Sequence, residues 1–350
     1  MSIAAAIDTL RQADDYAALI AASNRLGSDP LQVQGPGGNT SLKDGEAMWI
    51  KASGTWLAHA RDRDIMVPCN TGVLRRALEA EVPEPPEMEA FVVGDANPLG
   101  LRPSIETAVH AALDWPVVLH THCVATIALA ICRDGRERIA AALPNERVAF
   151  VPYVKPGWDL ALAIRKAADR ETRIVVLGNH GLVVSGPTVA EAEGLLRKVS
   201  AALQPASVRG SMAAAPALED RLRGTGWIAA PDPITHALAL DPMRLEMAVG
   251  ATLYPDHLIF LGPGCRQVTD DALPKDTGGA TCKLLLFPGL GAAIPADATA
   301  SDLALARCLG DVLARVPDEA ELMRLSPEEE AALLDWDAEK YRQSLNRAAP

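Results

Sequence analysis

Short apolar runs, each closed by a turn residue or a histidine, alternate along the chain with Ala- and Leu-rich stretches of helical period. Residues 3–26 place apolar side chains at helical spacing up to Gly27, a C-cap signal, and predict one or two helices. Thr40-Ser41-Leu42 and Met48-Trp49-Ile50 flank Asp44-Gly45, the signature of a hairpin. Trp115-Pro116-Val117-Val118-Leu119 and Arg173-Ile174-Val175-Val176-Leu177 read as buried strands, and Val148–Tyr153 and Leu182–Ser185 as further strands. Helical patterns fall at 123–132, 158–169 and 188–203.

Beyond them the pattern changes. Residues 204–226, rich in Ala, Pro, Gly and Ser, predict a linker. Tyr254–Leu261 and Lys283–Gly289 predict strands, and 301–315 and 327–346 predict helices. The last helix opens on Ser326-Pro327-Glu328 and carries Leu333, Leu334, Trp336 and Tyr341 at near-helical spacing. Pro83–Pro86 reads as a connector. The expected organisation is a catalytic region at 1–205, a linker at 206–226 and a small α/β accessory region at 227–350.

Composition narrows the function classes. An apolar fraction of 49% in 350 residues supports a large core. A net charge of −12 disfavours nucleic acid and anionic membranes as partners, since both need a basic face. Six cysteines without a Cys-x-x-Cys pair fit a reduced, cytoplasmic protein. The start Met1-Ser2-Ile3 has no basic signal-peptide character, and no apolar run reaches membrane-span length.

The chemistry concentrates where strands end. On a strand, residues two apart share a side, so His120 and His122 in Leu119-His120-Thr121-His122 aim at one point. Alone, such a pair either begins a metal site or caps the strand. His180, in Gly178-Asn179-His180-Gly181, ends another buried strand, and three histidines so placed fit an open zinc-type site with one position left for water or substrate. Glu106 follows Ser104, a candidate N-cap, at the start of an Ala-rich helix, where a carboxylate is either a cap or an acid/base. His110, one turn on, reads as a packed or hydrogen-bonded core histidine. The loops Gly35-Pro36-Gly37-Gly38-Asn39 and Ala52-Ser53-Gly54-Thr55 are either ordinary turns or an anion cradle, with Lys43 and Lys51 nearby.

Taken together, Gly37-Gly38-Asn39-Thr40-Ser41, Lys51-Ala52-Ser53-Gly54-Thr55, Pro103-Ser104-Ile105-Glu106-Thr107, His120-Thr121-His122 and Asn179-His180-Gly181 resemble the class II aldolase/adducin family, over residues 8–203. Residues 227–350 resemble the region that follows this domain in long bacterial members, including fused rhamnulose-phosphate aldolase/dehydrogenases; the chain ends before any dinucleotide loop, so no nicotinamide chemistry is expected. The resemblance implies a three-layer α/β/α fold around a mostly antiparallel sheet, with a smaller C-terminal α/β region. It implies a divalent metal, zinc first, on His120, His122 and His180, and a small-molecule sugar phosphate as substrate. Gly38, Asn39, Ser53, Gly54 and Ser104 would hold the phosphate, Glu106 would act as acid/base, and Tyr153 would serve as a proton donor across a subunit interface of a homo-oligomer, a tetramer in related enzymes. The implied reaction makes or breaks a carbon–carbon bond of a ketose phosphate or related hydroxy-ketone through a metal-stabilised enediolate. Epimerase, dehydratase or decarboxylase chemistry at the same site, or a non-catalytic adducin-like role, are the alternatives. Ile105 stands where sugar-phosphate aldolases of this group often carry a second serine, which removes a hydroxyl from the phosphate cradle.

Overall fold

The computed structural model describes residues 2–82, 86–269 and 282–336. Most of the Pro83–Pro86 connector and the part of the last predicted helix beyond Trp336, Tyr341 included, lie outside the described residues. The chain forms two units: Met1–Cys123 with Ala140–Ala202, and Val124–Ile139 with the chain from Leu203 onward.

The first unit is built on seven strands: β1 (Asn39–Asp44), β2 (Ala47–Lys51), β3 (Met66–Asn70), β4 (Val117–Thr121), β5 (Val148–Val151), β6 (Ile174–Leu177) and β7 (Gly181–Gly186). They form one sheet in the order β3-β2-β1-β4-β7-β6-β5. Every pairing is antiparallel except β5 with β6. Strands covered on both faces are expected as continuous apolar runs, and Val117–Leu119 and Ile174–Leu177 are buried throughout. Helices Thr71–Glu79, Thr107–Ala112 and Trp158–Ala167 cover the face that carries Val118, Val175 and Val183. Helices Ile3–Gln12 and Asp14–Ser28 lie on the other face, where Trp49 Nε1 donates to the Ile7 carbonyl at 3.0 Å and the Ser23 and Thr40 hydroxyls meet at 2.7 Å. Helix Val189–Ala202 packs on β4 and β7. This is the expected α/β/α sandwich.

The predicted N-terminal helical pattern divides at Ala13, whose extended backbone caps both helices. Gly27 does not end the second helix, which continues to Ser28. The glycine instead allows a close approach: a Cβ there would lie 2.1 Å from the Ala58 nitrogen.

The second unit holds a four-stranded sheet of β8 (Trp227–Ala229), β9 (Arg266–Gln267), β10 (Leu285–Phe287) and β11 (Gly291–Pro295), in the order β8-β11-β10-β9. Helix Ala300–Leu313 opens on a Thr299/Asp302 capping box, and helix Pro327–Leu334 on a Ser326/Glu329 box. Two expectations are corrected here. Tyr254–Leu261 is not a strand; Pro255–Leu261 is a helix, buried on all sides and packed on the helices just named. Proline at its first position suits a helix start, and the four-residue apolar run Leu258–Leu261 is too short to carry a period that separates helix from strand. Residues 204–226 are not simply a linker, because they contain helix Pro216–Leu222, whose Leu218 and Leu222 are buried with Leu285 and Phe287. Residues 124–139 also belong to this unit: the Met323 N–H donates to the Ile131 carbonyl at 2.7 Å, and the Arg133 N–H to the Glu321 carbonyl at 2.8 Å. Among the described residues, no helix is long and apolar enough to cross a membrane.

Candidate metal centre

The register of the large sheet assembles the site. Asn39 on β1 pairs with His120 on β4, and His120 pairs with Val183 on β7. His122 follows the end of β4, and His180 occupies the reversal between β6 and β7, next to Asn179 in a left-handed conformation (φ 52°). Gly181 makes the approach possible: a Cβ there would stand 2.5 Å from the Thr121 carbonyl oxygen and 3.4 Å from His120 Cε1. Gly38, at φ +58°, backs onto the His120 carbonyl in the same way, with only 2.8 Å for a Cβ.

The three histidines are buried, and each offers a nitrogen within 4.8 Å of the others. Their ring centroids are 4.9–5.2 Å apart. Glu106, also buried, spans two of them, with Oε2 3.3 Å from His120 Nε2 and Oε1 3.6 Å from His180 Nε2. His120 Nδ1 donates to the Leu182 carbonyl at 3.1 Å, which turns Nε2 toward the cluster. Burial alone would push the Glu106 carboxyl up; positive charge at His120 and His180, the Asn39 hydrogen bond and then His122 outweigh it and bring the group down to about 2. Glu106 is therefore an ionised carboxylate in a buried site.

Asn39 holds that carboxylate. Its Nδ2 donates to Glu106 Oε2 at 2.8 Å and to Ser104 Oγ at 3.2 Å, and its Oδ1 meets His110 Nε2. His110 Nδ1 lies 2.6 Å from Ser41 Oγ. His110 is thus the hydrogen-bonded core histidine that its position suggested, and burial first, then the Lys43 charge, holds its ring well below the usual histidine range. Lys43 Nζ donates to the His110 carbonyl at 2.5 Å and to that of Leu113; burial pushes its amine well below the usual lysine range. Ser104 is not the N-cap, because the helix begins at Thr107 with Glu106 in the cap position. Ser104 Oγ instead accepts from the Glu106 N–H at 3.2 Å.

The two small-residue loops are joined to this site. Ser53 N–H donates to the Arg102 carbonyl at 2.9 Å, Ser104 N–H to the Lys51 carbonyl at 3.0 Å, and Lys51 Nζ to the Pro36 carbonyl at 2.9 Å. The segment Lys51–Ser53 thus pairs with Arg102–Ser104, and Gly54 follows it at φ +73°. Tyr153, half-buried, follows β5 at the edge of the sheet, and its backbone runs beside Gly178, whose N–H donates to Val151 at 2.8 Å. That places Tyr153 next to the turn carrying His180 at the level of the main chain.

The donor set fits a divalent ion. Three buried imidazoles converge, and Glu106 Oε1 is buried beside them without a hydrogen-bond partner among the described residues. No other group of three or more His, Cys, Asp or Glu with metal-ligand spacing occurs among the described residues.

The model of the class II aldolase and adducin N-terminal domain matches residues 17–204. The chain belongs to the class II aldolase and adducin family. A protein of Bacillus subtilis described as the uncharacterized oxidoreductase YuxG is 32% identical over 185 residues, which are 49% of this chain and 26% of that protein. The L-fuculose phosphate aldolase of Methanocaldococcus jannaschii is 24% identical over 171 residues, 47% of this chain and 80% of the aldolase. The chain thus spans about a quarter of the first relative and four fifths of the second. Among solved structures, the N-terminal class II aldolase domain of a conserved protein from Thermoplasma acidophilum shares 25% identity at a TM-score of 0.48, covering 55% of this chain and 92% of that one.

Proposed function

We propose that this member of the family is a metal-dependent carbon–carbon lyase that cleaves or forms a bond in a ketose phosphate or a related hydroxy-ketone. One observation carries the reading: three buried imidazoles and an Asn39-held carboxyl converge on one space. His120, His122 and His180 would hold a divalent ion, zinc by donor type, which supplies Lewis acidity for negative charge developing at a ketone and its neighbouring hydroxyl. Glu106 takes the proton from the hydroxyl beside the bond being cut, and the bond's electron pair passes to the carbon next to the ketone. The same carboxyl then returns the proton to that carbon. Burial excludes bulk water from the exchange.

The loops divide the remaining work. The Asn39 side chain is committed to Glu106, Ser104 and His110, so anion binding falls on Ser53, the Gly38 and Gly54 main chain and the Ser104 hydroxyl. Ile105 in place of a second serine favours a substrate with a different anion, or none, at that end; epimerisation, dehydration or decarboxylation by the same carboxylate and ion is the second reading. Tyr153 as a proton donor to a neighbouring copy, assembly into a closed tetramer and a cytoplasmic setting belong to the same proposal.

The test is metal analysis of the purified chain, followed by a screen of aldol cleavage and condensation over ketose phosphates and free sugars. Bound zinc with cleavage of a ketose phosphate is the expected result. A metal-free chain inactive after zinc addition would remove the reading.

A further inference from the structure

We propose that His110 is a positioning residue, which acts through Asn39 to fix which oxygen of Glu106 is held and which is left open to a substrate. This rests on Glu106 being the acid/base.

Both hydrogens of the Asn39 amide nitrogen are committed, to Glu106 Oε2 at 2.8 Å and Ser104 Oγ at 3.2 Å. The amide oxygen therefore faces His110 Nε2, and an amide oxygen only accepts. His110 must carry its hydrogen on Nε2. A neutral ring with Nε2–H has a lone pair on Nδ1, and the Ser41 hydroxyl donates to it at 2.6 Å. The donors then run one way, from Ser41 through His110 and Asn39 to the carboxylate. With the His110 ring in this tautomer, turning the Asn39 amide over would set its oxygen against Glu106 Oε2 and its NH2 against the His110 N–H; the other tautomer, with the Ser41 hydroxyl accepting, would relieve only the second of these repulsions. The tautomer of His110 locks the amide, and the amide locks Oε2. Oε1 keeps no hydrogen bond among the described residues, so it is the oxygen free to exchange a proton.

The fold holds every part of this relay rigidly. Asn39 and Ser41 are two apart on β1 and share a face, and His110 stands one turn beyond Glu106 in sequence on the helix packed over that face. Lys43 fixes the far end of that helix through the carbonyls of His110 and Leu113. The ring itself is fully buried, remote from any exchange with solvent.

The test has two arms on the full chain. In the first, nitrogen-15 NMR of histidine-labelled protein reads the His110 ring at neutral pH. The neutral Nε2–H form is expected; an Nδ1–H tautomer or an imidazolium overturns the proposal. The second arm compares His110→Phe, which keeps the bulk and removes the donor, with His110→Gln, whose amide can donate to Asn39. His110→Phe should lower kcat on the order of tenfold to a hundredfold with KM and bound metal little changed, and His110→Gln should recover most of it. Wild-type kcat in His110→Phe, or equal impairment in both variants, overturns the positioning role. If the wild-type chain turns over nothing in the ketose screen, the lyase reading fails by itself. Tautomer and crystallographic orientation of Asn39 and Glu106 in the Phe variant then still decide the relay: an unmoved pair overturns it, a rotated pair supports it.

Discussion

Three buried histidines of the first unit and two of the second are held in opposite ways. In the first, His120, His122 and His180 turn ring nitrogens toward one another and toward Glu106. In the second, His236 and His257 are equally buried, but each gives its Nδ1 to a main-chain donor: His236 accepts from the Ala292 N–H at 3.1 Å, His257 from the Leu253 N–H at 3.4 Å. Burial is common to both sets, so burial does not mark a site. The partner does. A ring that satisfies a backbone N–H closes a turn and contributes to stability. Rings that face one another beside an ionised carboxylate do little for an apolar core and form a preorganised centre of charge.

The comparison breaks most sharply by removing one ring from each unit. His180→Ala should abolish metal retention, read by metal analysis after dialysis, and take activity to background. The loss should exceed the roughly ten- to hundredfold drop in metal affinity that follows loss of an outer-shell partner. His236→Ala should leave metal content and turnover unchanged. A metal-replete His180→Ala, or a metal-free His236→Ala, would exchange the roles of the two units.

Glu106→Gln comes next. The amide keeps the shape of the side chain and can stay near Asn39, so bound metal should persist while kcat falls on the order of a hundredfold or more. Unchanged kcat would reduce Glu106 to the cap position that it occupies at the start of helix Thr107–Ala112.

Much of this centre was legible before any fold was known. The strands that carry His120 and His180 are buried on both faces, and such strands are written as unbroken apolar runs, with the histidines standing where each run stops. The Asp44-Gly45 hairpin was legible because its turn has its own chemistry. What stayed hidden depended on long-range register. Asn39 was expected among the phosphate ligands, yet the pairing of β1 with β4 sets it opposite His120 and turns its amide to Glu106, 67 residues away in sequence. Helix Pro255–Leu261 differs from the expected strand because its apolar run, Leu258–Leu261, is too short to show a period, and only the helices packed around it settle its type.

A smaller effect probes where the units divide. Truncation after residue 205 keeps helix Val124–Ala130 but removes helix Ala300–Leu313, on which it packs, and the segment 321–323 that hydrogen-bonds to Ile131 and Arg133. Ile127, Ala128 and Ile131, all buried in the full chain, would face solvent. The truncated protein should aggregate in light scattering, and replacing Ile127 and Ile131 with polar residues should relieve it. A monodisperse truncated chain would show that residues 124–139 need nothing from the second unit.

The smallest effect distinguishes a structural histidine by its response to acid. Burial first, and the charge of Arg324 second, push His257 down to about 4. Unfolded, the same ring takes a proton near its ordinary value of 6.5. Between those two values the unfolded chain binds more protons than the folded one, so stability is complete above the unfolded value and falls as pH drops toward the folded one. The loss from this ring is on the order of 3 kcal/mol. His257→Asn offers an oxygen to the Leu253 N–H and cannot titrate, so it should be less stable near neutrality by about 1 kcal/mol or more, through the lost ring volume. Its stability should then decline less steeply than that of the wild-type chain across the same acid range. Urea unfolding at a series of pH values measures both curves, and taking the difference between them cancels the common contribution of the metal-site histidines. Parallel curves would mean that His257 is already protonated in the folded chain, and the ring would then have to hold a charge beside Arg324 that its burial argues against.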